Sequence, residues 1–492
     1  MRSRKNIAVL NGIAVFVLVA GCTVGPKYQR ASAPVPAKWD VAEPWREGAP
    51  KDSVPKGEWW SVFHDEGLSA LEKQTLDANQ TIKIAAARLE QARASASLQI
   101  ATQFPTLAAA PQAERQRLSG NRPSGFNVPT IAPVTQNTFT LPFTVNYEVD
   151  LFGRRRRSIE AAQAAYQASA ADLENARLVI TSELAGDYFT VRQLDTELGI
   201  LRRTVETLQK GLQLVDSRHK GGVASGLDVA QEETLLNTTR TQAILLQQQR
   251  KQFEDAIAVL LGSPAPEFHL APKELNAEPP GLDAGLPSDL LERRPDIAEA
   301  ERQMALANAQ IGIVRAAYFP SVNLFADGGW QAADIVKLLN VQSTVWAVGA
   351  NAAEAIFTGG SRRAQTQFAR AGYDASVASY RNTVLSAFGE VQDDVTGLMV
   401  LDQAFHSQEQ AVDAARRTLN ISTDRYTGGL VSYLDVVTAQ QTLLNNEQQL
   451  AAIRGQRLVT SVLLIKALGG GWDAASLSAV QVKAKLKDVV AP

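Results

Sequence analysis

The chain has 492 residues, 45% of them hydrophobic, which is enough for a large core and several times the common size of one domain. Its 49 Lys and Arg nearly balance 51 Asp and Glu, and no dense basic face offers itself to nucleic acid. A single cysteine excludes an intrachain disulfide framework and any metal site built from several thiolates.

Met1 to Lys5 carries Arg2, Arg4 and Lys5, and an apolar stretch from Ile7 to Ala20 follows, interrupted only by Asn11 and Gly12. The stretch is shorter than the roughly 20 residues that span a bilayer, and it runs through Val19-Ala20-Gly21 into Cys22. This resembles a bacterial lipobox. It predicts that residues 1–21 are a signal peptide and that Cys22 becomes the N-terminus. Covalent lipid (diacylglycerol on sulfur and an N-acyl chain) would then hold the protein at about 0.8 kcal/mol per buried methylene. Thr23, where an Asp would resemble an inner-membrane retention signal, favours the outer membrane.

Prolines cluster in 26–55, 105–142 and 264–295 and stand alone at Pro320 and Pro492. An interior proline costs a helix about 3 kcal/mol, so long helices are predicted in the gaps 56–104, 143–263 and 321–491. These gaps are rich in Ala, Gln, Leu, Glu and Arg, all good helix formers.

The chain repeats itself. Arg218, Gly221-Gly222, Ser225 and Leu227-Asp228-Val229 recur 207 residues on as Arg425, Gly428-Gly429, Ser432 and Leu434-Asp435-Val436. Phe104-Pro105 recurs as Phe319-Pro320, and Leu151-Phe152-Gly153 with its arginines as Ile356-Phe357 with Gly359-Gly360 and Arg362-Arg363. A tandem duplication is predicted: a first repeat over 66–262 and a second over 288–468, each reading helix, two strands, long helix, glycine-rich turn, helix. The strands fall at 106–117 and 137–150, then 320–331 and 343–357, and the turns at 220–227 and 427–434. Segments 22–65, 263–287 and 469–492 are expected as a collar at mid-height.

From Phe139 to Val149 apolar residues alternate with Thr140, Pro142, Thr144, Asn146 and Glu148, the period of a strand with one apolar face. Two readings stand: a tilted transmembrane strand or a soluble hairpin packed on the helices. In the first reading four strands cannot close a barrel and lipid tolerates no open edge, so several chains must pool their strands. The stretch from Arg154 to His219 makes a helix of about 100 Å. Helices over 226–261 and 288–318, stacked end to end, are expected to match it.

Cys22 to Tyr28, Trp59-Trp60 with Phe63, Asn79 through Ala94, Arg293 to Ile297 and Arg425 through Asp435 together resemble the TolC-like outer membrane factor lipoproteins of the NodT and OprM type. The resemblance spans essentially the whole chain after Cys22. It implies a mainly α fold with a transmembrane β-barrel portion: a homotrimer whose pooled strands make a twelve-stranded barrel on a helical tunnel. It also implies an exit channel for small molecules that docks by its periplasmic tips onto an adaptor (membrane fusion) protein linked to an inner-membrane RND-type pump. A lipid-anchored periplasmic scaffold without a pore would share the anchor and helices but not the alternating strands. No enzyme is expected: His64, His219, His269 and His406 lack metal-ligand spacing, and no phosphate loop or nucleophile elbow is present. No cofactor other than the lipid is implied. Arg154 to Arg157 open a helix where the dipole disfavours cations. Lipid phosphate, the nearby Glu148, Asp150 and Glu354, or plain solvation could compensate them.

The resemblance assigns adaptor docking to Gly221, Gly222, Val223, Ser225, Gly428, Gly429, Leu430 and Ser432, and a channel gate to Asp435, Asp228, Val431 and Tyr433. Ser225 with Asp228 and Ser432 with Asp435 also match a helix capping box, which alone would account for both acids. A second acid expected one turn after Asp435 is Thr438 here, and the loop acid of some relatives is Val431, which shifts the expected constriction towards Leu430, Val431 and Tyr433. The exported compound is not legible; Met1, Met304 and Met399 are too few to suggest a copper path.

Overall fold

The computed structural model describes residues 23–36, 57–121, 132–281 and 290–482. Its main elements are α1 (Glu66–Ala78), α2 (Gln80–Ala101), β1 (Thr106–Ala109), β2 (Gln112–Leu118), β3 (Val134–Val149), α3 (Arg154–Lys220) and α4 (Gly226–Leu260). The second half follows with α5 (Pro295–Ala316), β4 (Ser321–Ala332), β5 (Thr344–Ala353), α6 (Ser361–Thr427) and α7 (Tyr433–Ala467). The duplication is carried into helix lengths: α3 and α6 have 67 residues each, α4 and α7 have 35, α2 and α5 have 22.

The helices stack differently from the expectation. Asn79 caps α2 by accepting from the N–H groups of Thr81 and Ile82, and its Nδ2 donates to the carbonyl of Leu260, the last residue of α4, at 2.8 Å. Thus α4 continues into α2, not into the helix after 288. In the second half Arg294 Nη1 donates to the carbonyl of Ala467 at 3.1 Å, so α7 continues into α5. Each joint satisfies orphan carbonyls at one helix end and orders the start of the next. The predicted helix over 288–318 starts only at Pro295, because Arg294 is extended (φ −98°, ψ 123°) as the residue before a proline prefers.

α3 therefore lies between two composite rods, α4 with α2 and α7 with α5. Leu184, Ala185, Phe189 and Val191 are fully buried there, and each large apolar side chain contributes roughly 1.5–3 kcal/mol. At mid-height Trp59, Trp60, Phe63 and Leu275 pack on Leu178, Tyr188, Phe189 and Leu458, so residues flanking α1 and residues after α4 do gather at one level. A buried ion network fastens that level: Asp195 accepts from Arg250 Nε at 2.6 Å, Arg192 Nη1 at 3.1 Å and the Lys273 N–H at 3.1 Å. Parts of the expected collar, 37–56, 282–287 and 483–492, lie outside the described residues.

The strands form one antiparallel sheet in the order β1, β3, β4, β5, with β2 also paired to β3. The predicted strand 106–117 is two pieces, β1 and β2, broken at Ala110-Pro111, since Pro111 has no N–H for the ladder. β5 ends at Ala353 rather than 357 because its partner β4 begins at Ser321, the residue opposite Ala353. Among the described residues no helix is long and apolar enough to cross a membrane.

Candidate functional site

Pairing register gives the sheet two chemically distinct faces. Phe139, Leu141, Phe143, Val145, Tyr147 and Val149 of β3 align with Trp330, Ala326, Leu324 and Val322 of β4, and these with Trp346, Val348, Ala350 and Ala352 of β5. The opposite face carries Thr138, Thr140, Thr144, Asn146, Glu148, Asn323, Asp327, Gln331 and Asn351, with Phe325 the large exception, lying over Gly349. The apolar face is not packed on helices: Trp346 is 79% exposed and Val348 70%. A soluble hairpin would bury such a face, whereas a lipid-facing one leaves it bare within a single chain. β1 and β2 share one edge of β3 and β5 is the other, so the sheet is four strands wide and open at both sides.

Below the strands the arginine run is neutralised by the chain's own acids. Arg154 Nη2 lies 2.6 Å and Arg155 Nη2 3.3 Å from Glu148 Oε2, and Arg156 Nε lies 3.2 Å from Asp150 Oδ2. Arg157 is buried and donates to the carbonyls of Val24, Gly25 and Pro26. Thr23 packs against Gly153, and its neighbour Val24 donates to the Phe152 carbonyl at 3.1 Å. The N-terminal segment is thus fixed where the strands meet α3. Cys22 itself lies outside the described residues.

At the far end of the long helices the two turns have one construction. α3 ends in a Schellman motif: Val223 N–H donates to the Arg218 carbonyl at 2.8 Å and Gly222 N–H to that of His219 at 2.9 Å. α6 repeats it, with Leu430 donating to Arg425 at 2.8 Å and Gly429 to Tyr426 at 3.0 Å. Gly222 and Gly429 both have φ of 74°, a left-handed geometry that an L side chain adopts only at a cost. Val223, Leu227, Leu430 and Leu434 project outward, each more than half exposed.

The acids at the turns make capping bonds. Asp228 accepts from Ser225 N–H at 3.2 Å, while Ser225 Oγ accepts from Leu227 N–H at 2.9 Å. Asp435 accepts from Ser432 N–H at 3.1 Å and from its hydroxyl at 2.8 Å. Of the residues expected at a constriction, Leu430 and Asp435 are exposed and Val431 is half-buried. Tyr433 departs from the expectation: it is 4% exposed and packs with Val215, Tyr426 and Val436 between the two hairpins. Leu434, on the next position of α7, is the exposed apolar residue instead. Three residues matter that sequence reasoning did not single out. Asn79 and Arg294 were visible only as parts of motifs, and Glu232, fully buried on α4, had no signal beyond being an acid at a core-facing helical position.

An amphipathic sheet open at both edges, mounted on helices about 100 Å long that end in tight glycine turns, is the protomer of an outer-membrane channel. The chain belongs to the family described as Outer membrane efflux protein, which matches residues 71–263 and 286–470. It is 32% identical over 477 residues to the pyoverdine export outer membrane protein OpmQ of Pseudomonas aeruginosa, covering 96% of this chain and 98% of that one. It is also 32% identical over 466 residues, 94% of each chain, to the antibiotic efflux pump outer membrane protein ArpC of Pseudomonas putida. The solved structure of the outer-membrane channel OprN superposes with a TM-score of 0.84 at 29% identity, over 92% of this chain and all of that one. The protein is an efflux channel of the outer membrane.

Proposed function

We propose that the protein works as a homotrimer, docked through its tips to a periplasmic adaptor and an inner-membrane RND-type pump, passing small molecules outward without catalysing a reaction. The observation that carries this is the sheet with two free edges beside a long helix, α6, that has a composite rod on only one flank. Repetition closes both deficits at once. β5 of one protomer pairs with the β1 and β2 edge of the next, and α6 packs on that neighbour's α4 and α2. Three copies then give twelve strands and twelve rods. The exposed Val223, Leu227, Leu430 and Leu434 supply apolar knobs for the adaptor. The gate reading of Asp435 and Asp228 belongs to this proposal. So does lipid on Cys22, which the seating of Thr23 beside the strand ends supports. The named relatives are described by pyoverdine export and antibiotic efflux, and a wide passive duct is compatible with either.

Purified protein in detergent is tested by light scattering and then in planar bilayers. A trimer that conducts is the expected result. A monomer that keeps its full strand content would overturn the pooled barrel. Intact mass of the membrane-extracted protein reads the anchor separately, and a chain starting at Cys22 without added acyl mass would overturn the lipid.

A further inference from the structure

Glu232 of α4 is completely buried, and among the described residues neither carboxyl oxygen makes a geometrically complete hydrogen bond, the Tyr433 hydroxyl being the polar group beside it. It sits where Gly211 of α3 leaves room: Oε1 occupies the space a Cβ at Gly211 would take, and the Tyr433 hydroxyl lies 3.5 Å from the same point. Tyr433 is the first residue of α7 and Glu232 lies within two turns of the start of α4, so the acid and the phenol come together between the hairpin α3–α4 and the hairpin α6–α7 near the tip. The surroundings are apolar, with Leu208, Leu235 and Leu236 on one side and Val215, Tyr426 and Val436 on the other.

We infer that Glu232 is a proton-operated latch between the two tip hairpins, holding them together while its carboxyl is neutral and releasing them when it ionises. The inference deepens the channel reading above, by assigning regulation to its tip. A neutral carboxyl has both a donor and acceptors, which a phenol can match, and its burial without water costs little beyond that pairing. An ionised one in the same place is an unpaired buried charge, which the fold relieves only by admitting water or a cation. Among the described residues no cation pairs with it. Arg218 of α3 stacks over Tyr426 at 4.9 Å, Lys210 beside Gly211 is exposed, and Asp228 on the same helix as Glu232 is engaged with Ser225. Burial pushes the Glu232 carboxyl up from its ordinary 4.5 to about 7, with the Tyr433 hydroxyl pulling it partway down. The latched state therefore binds more protons than the released one between those values. Latching is undiminished below pH 4.5, weakens as pH rises, and is weakest above about 7.

The test uses the full-length oligomer in planar bilayers between pH 5 and 8.5, with deuterium uptake at 226–240 and 428–440 compared between variants at each pH. Wild type is expected to gain conductance and tip uptake several-fold as pH rises. E232Q, which keeps the shape but cannot ionise, should stay at the acid-side level throughout. Y433F should move the midpoint to higher pH, because it removes the hydroxyl that favours ionisation, and this carries the test if E232Q fails to assemble. An E232Q protein that keeps the wild-type pH response in both readouts, or a Y433F midpoint that does not move, overturns the latch. Absence of conductance from every protein would overturn the channel reading instead, while the uptake comparison still decides the latch.

Discussion

α3 and α6 are copies of one helix, equal in length and related by 207 residues, yet 23 side chains of α3 are buried and only 12 of α6. The difference lies in neighbours, not in composition. α3 is held between two composite rods within the chain, whereas among the described residues α6 has one such rod, α5 with α7, and otherwise meets the N-terminal segment around Arg30 and Ser32. The same contrast recurs at the strand ends. Phe152, after β3, stacks on Phe319 at 4.6 Å, while its repeat counterpart Phe357 is 90% exposed and Ile356 wholly so. The residue equivalent to Phe319 is Phe104, two residues before β1. In the trimer proposed above, the first half of the duplicated chain shows the kind of contact that the second half would take from another copy.

The sharpest way to break the comparison is at the ion network buried on α3, whose counterpart on α6, Asp402 with Arg457 at 2.7 Å, leaves its acid half exposed. Asp195 is 2% exposed and holds two arginines and a backbone N–H. Asp195→Ala leaves Arg192 buried without its acid and Arg250 with Glu254 alone, a loss of about 3–5 kcal/mol. Chemical denaturation of dissociated protomers should read most of it. An unchanged midpoint would mean that the first half is not self-sufficient.

A smaller effect is expected at the seam. Phe152→Ser should lower the protomer's own stability by roughly 1–3 kcal/mol, as for a partly buried aromatic. Phe357→Ser should leave the protomer's denaturation midpoint unchanged and instead lower the temperature at which the oligomer dissociates on a semi-native gel. If both variants act alike on the isolated protomer, the second half does not await Phe104 of a neighbouring copy.

Much of this was legible beforehand because it rests on local chemistry. The helices free of proline, the alternating β3 and the glycine turns each depend on residues within a few positions of one another, and the structure has long helices, a strand and turns at those places. What failed depends on distant partners. Nothing near Leu260 says whether its carbonyl will meet Asn79 or a residue past 288, since the choice is made by side chains 181 residues apart. Tyr433 is expected at the constriction from the family resemblance, where Thr438 and Val431 stand in place of acids. Helical phase puts it instead on the inward face of α7 and Leu434 on the outward one. Glu232 follows the same rule: its burial is set by Gly211 on another helix, which no local pattern reports.

The smallest expected effect, and the most discriminating at the tip, is Asp435→Asn. Both turns carry the same S-x-x-D box, but their bonds differ. Ser225 uses its hydroxyl to accept from the helix, whereas the Ser432 hydroxyl donates to Asp435. Asp435 is therefore a double acceptor on an exposed helix start, where a carboxylate also meets the positive end of the dipole at about 0.3–1 kcal/mol. An asparagine keeps one acceptor oxygen and loses the charge, so the stability change should stay below roughly 1 kcal/mol. If three copies of Asp435 face one another across a channel, the substitution removes three negative charges from its narrowest point, and cation selectivity or block by divalent ions changes far more than stability does. Asp228→Asn provides the control on the first turn, with the same backbone bond and the same formal charge. Reversal potentials measured across a salt gradient read the outcome. A shift confined to Asp435→Asn supports the gate, equal shifts in both variants extend the ring to the first hairpin, and a change of melting temperature with no change of reversal potential reduces Asp435 to a cap.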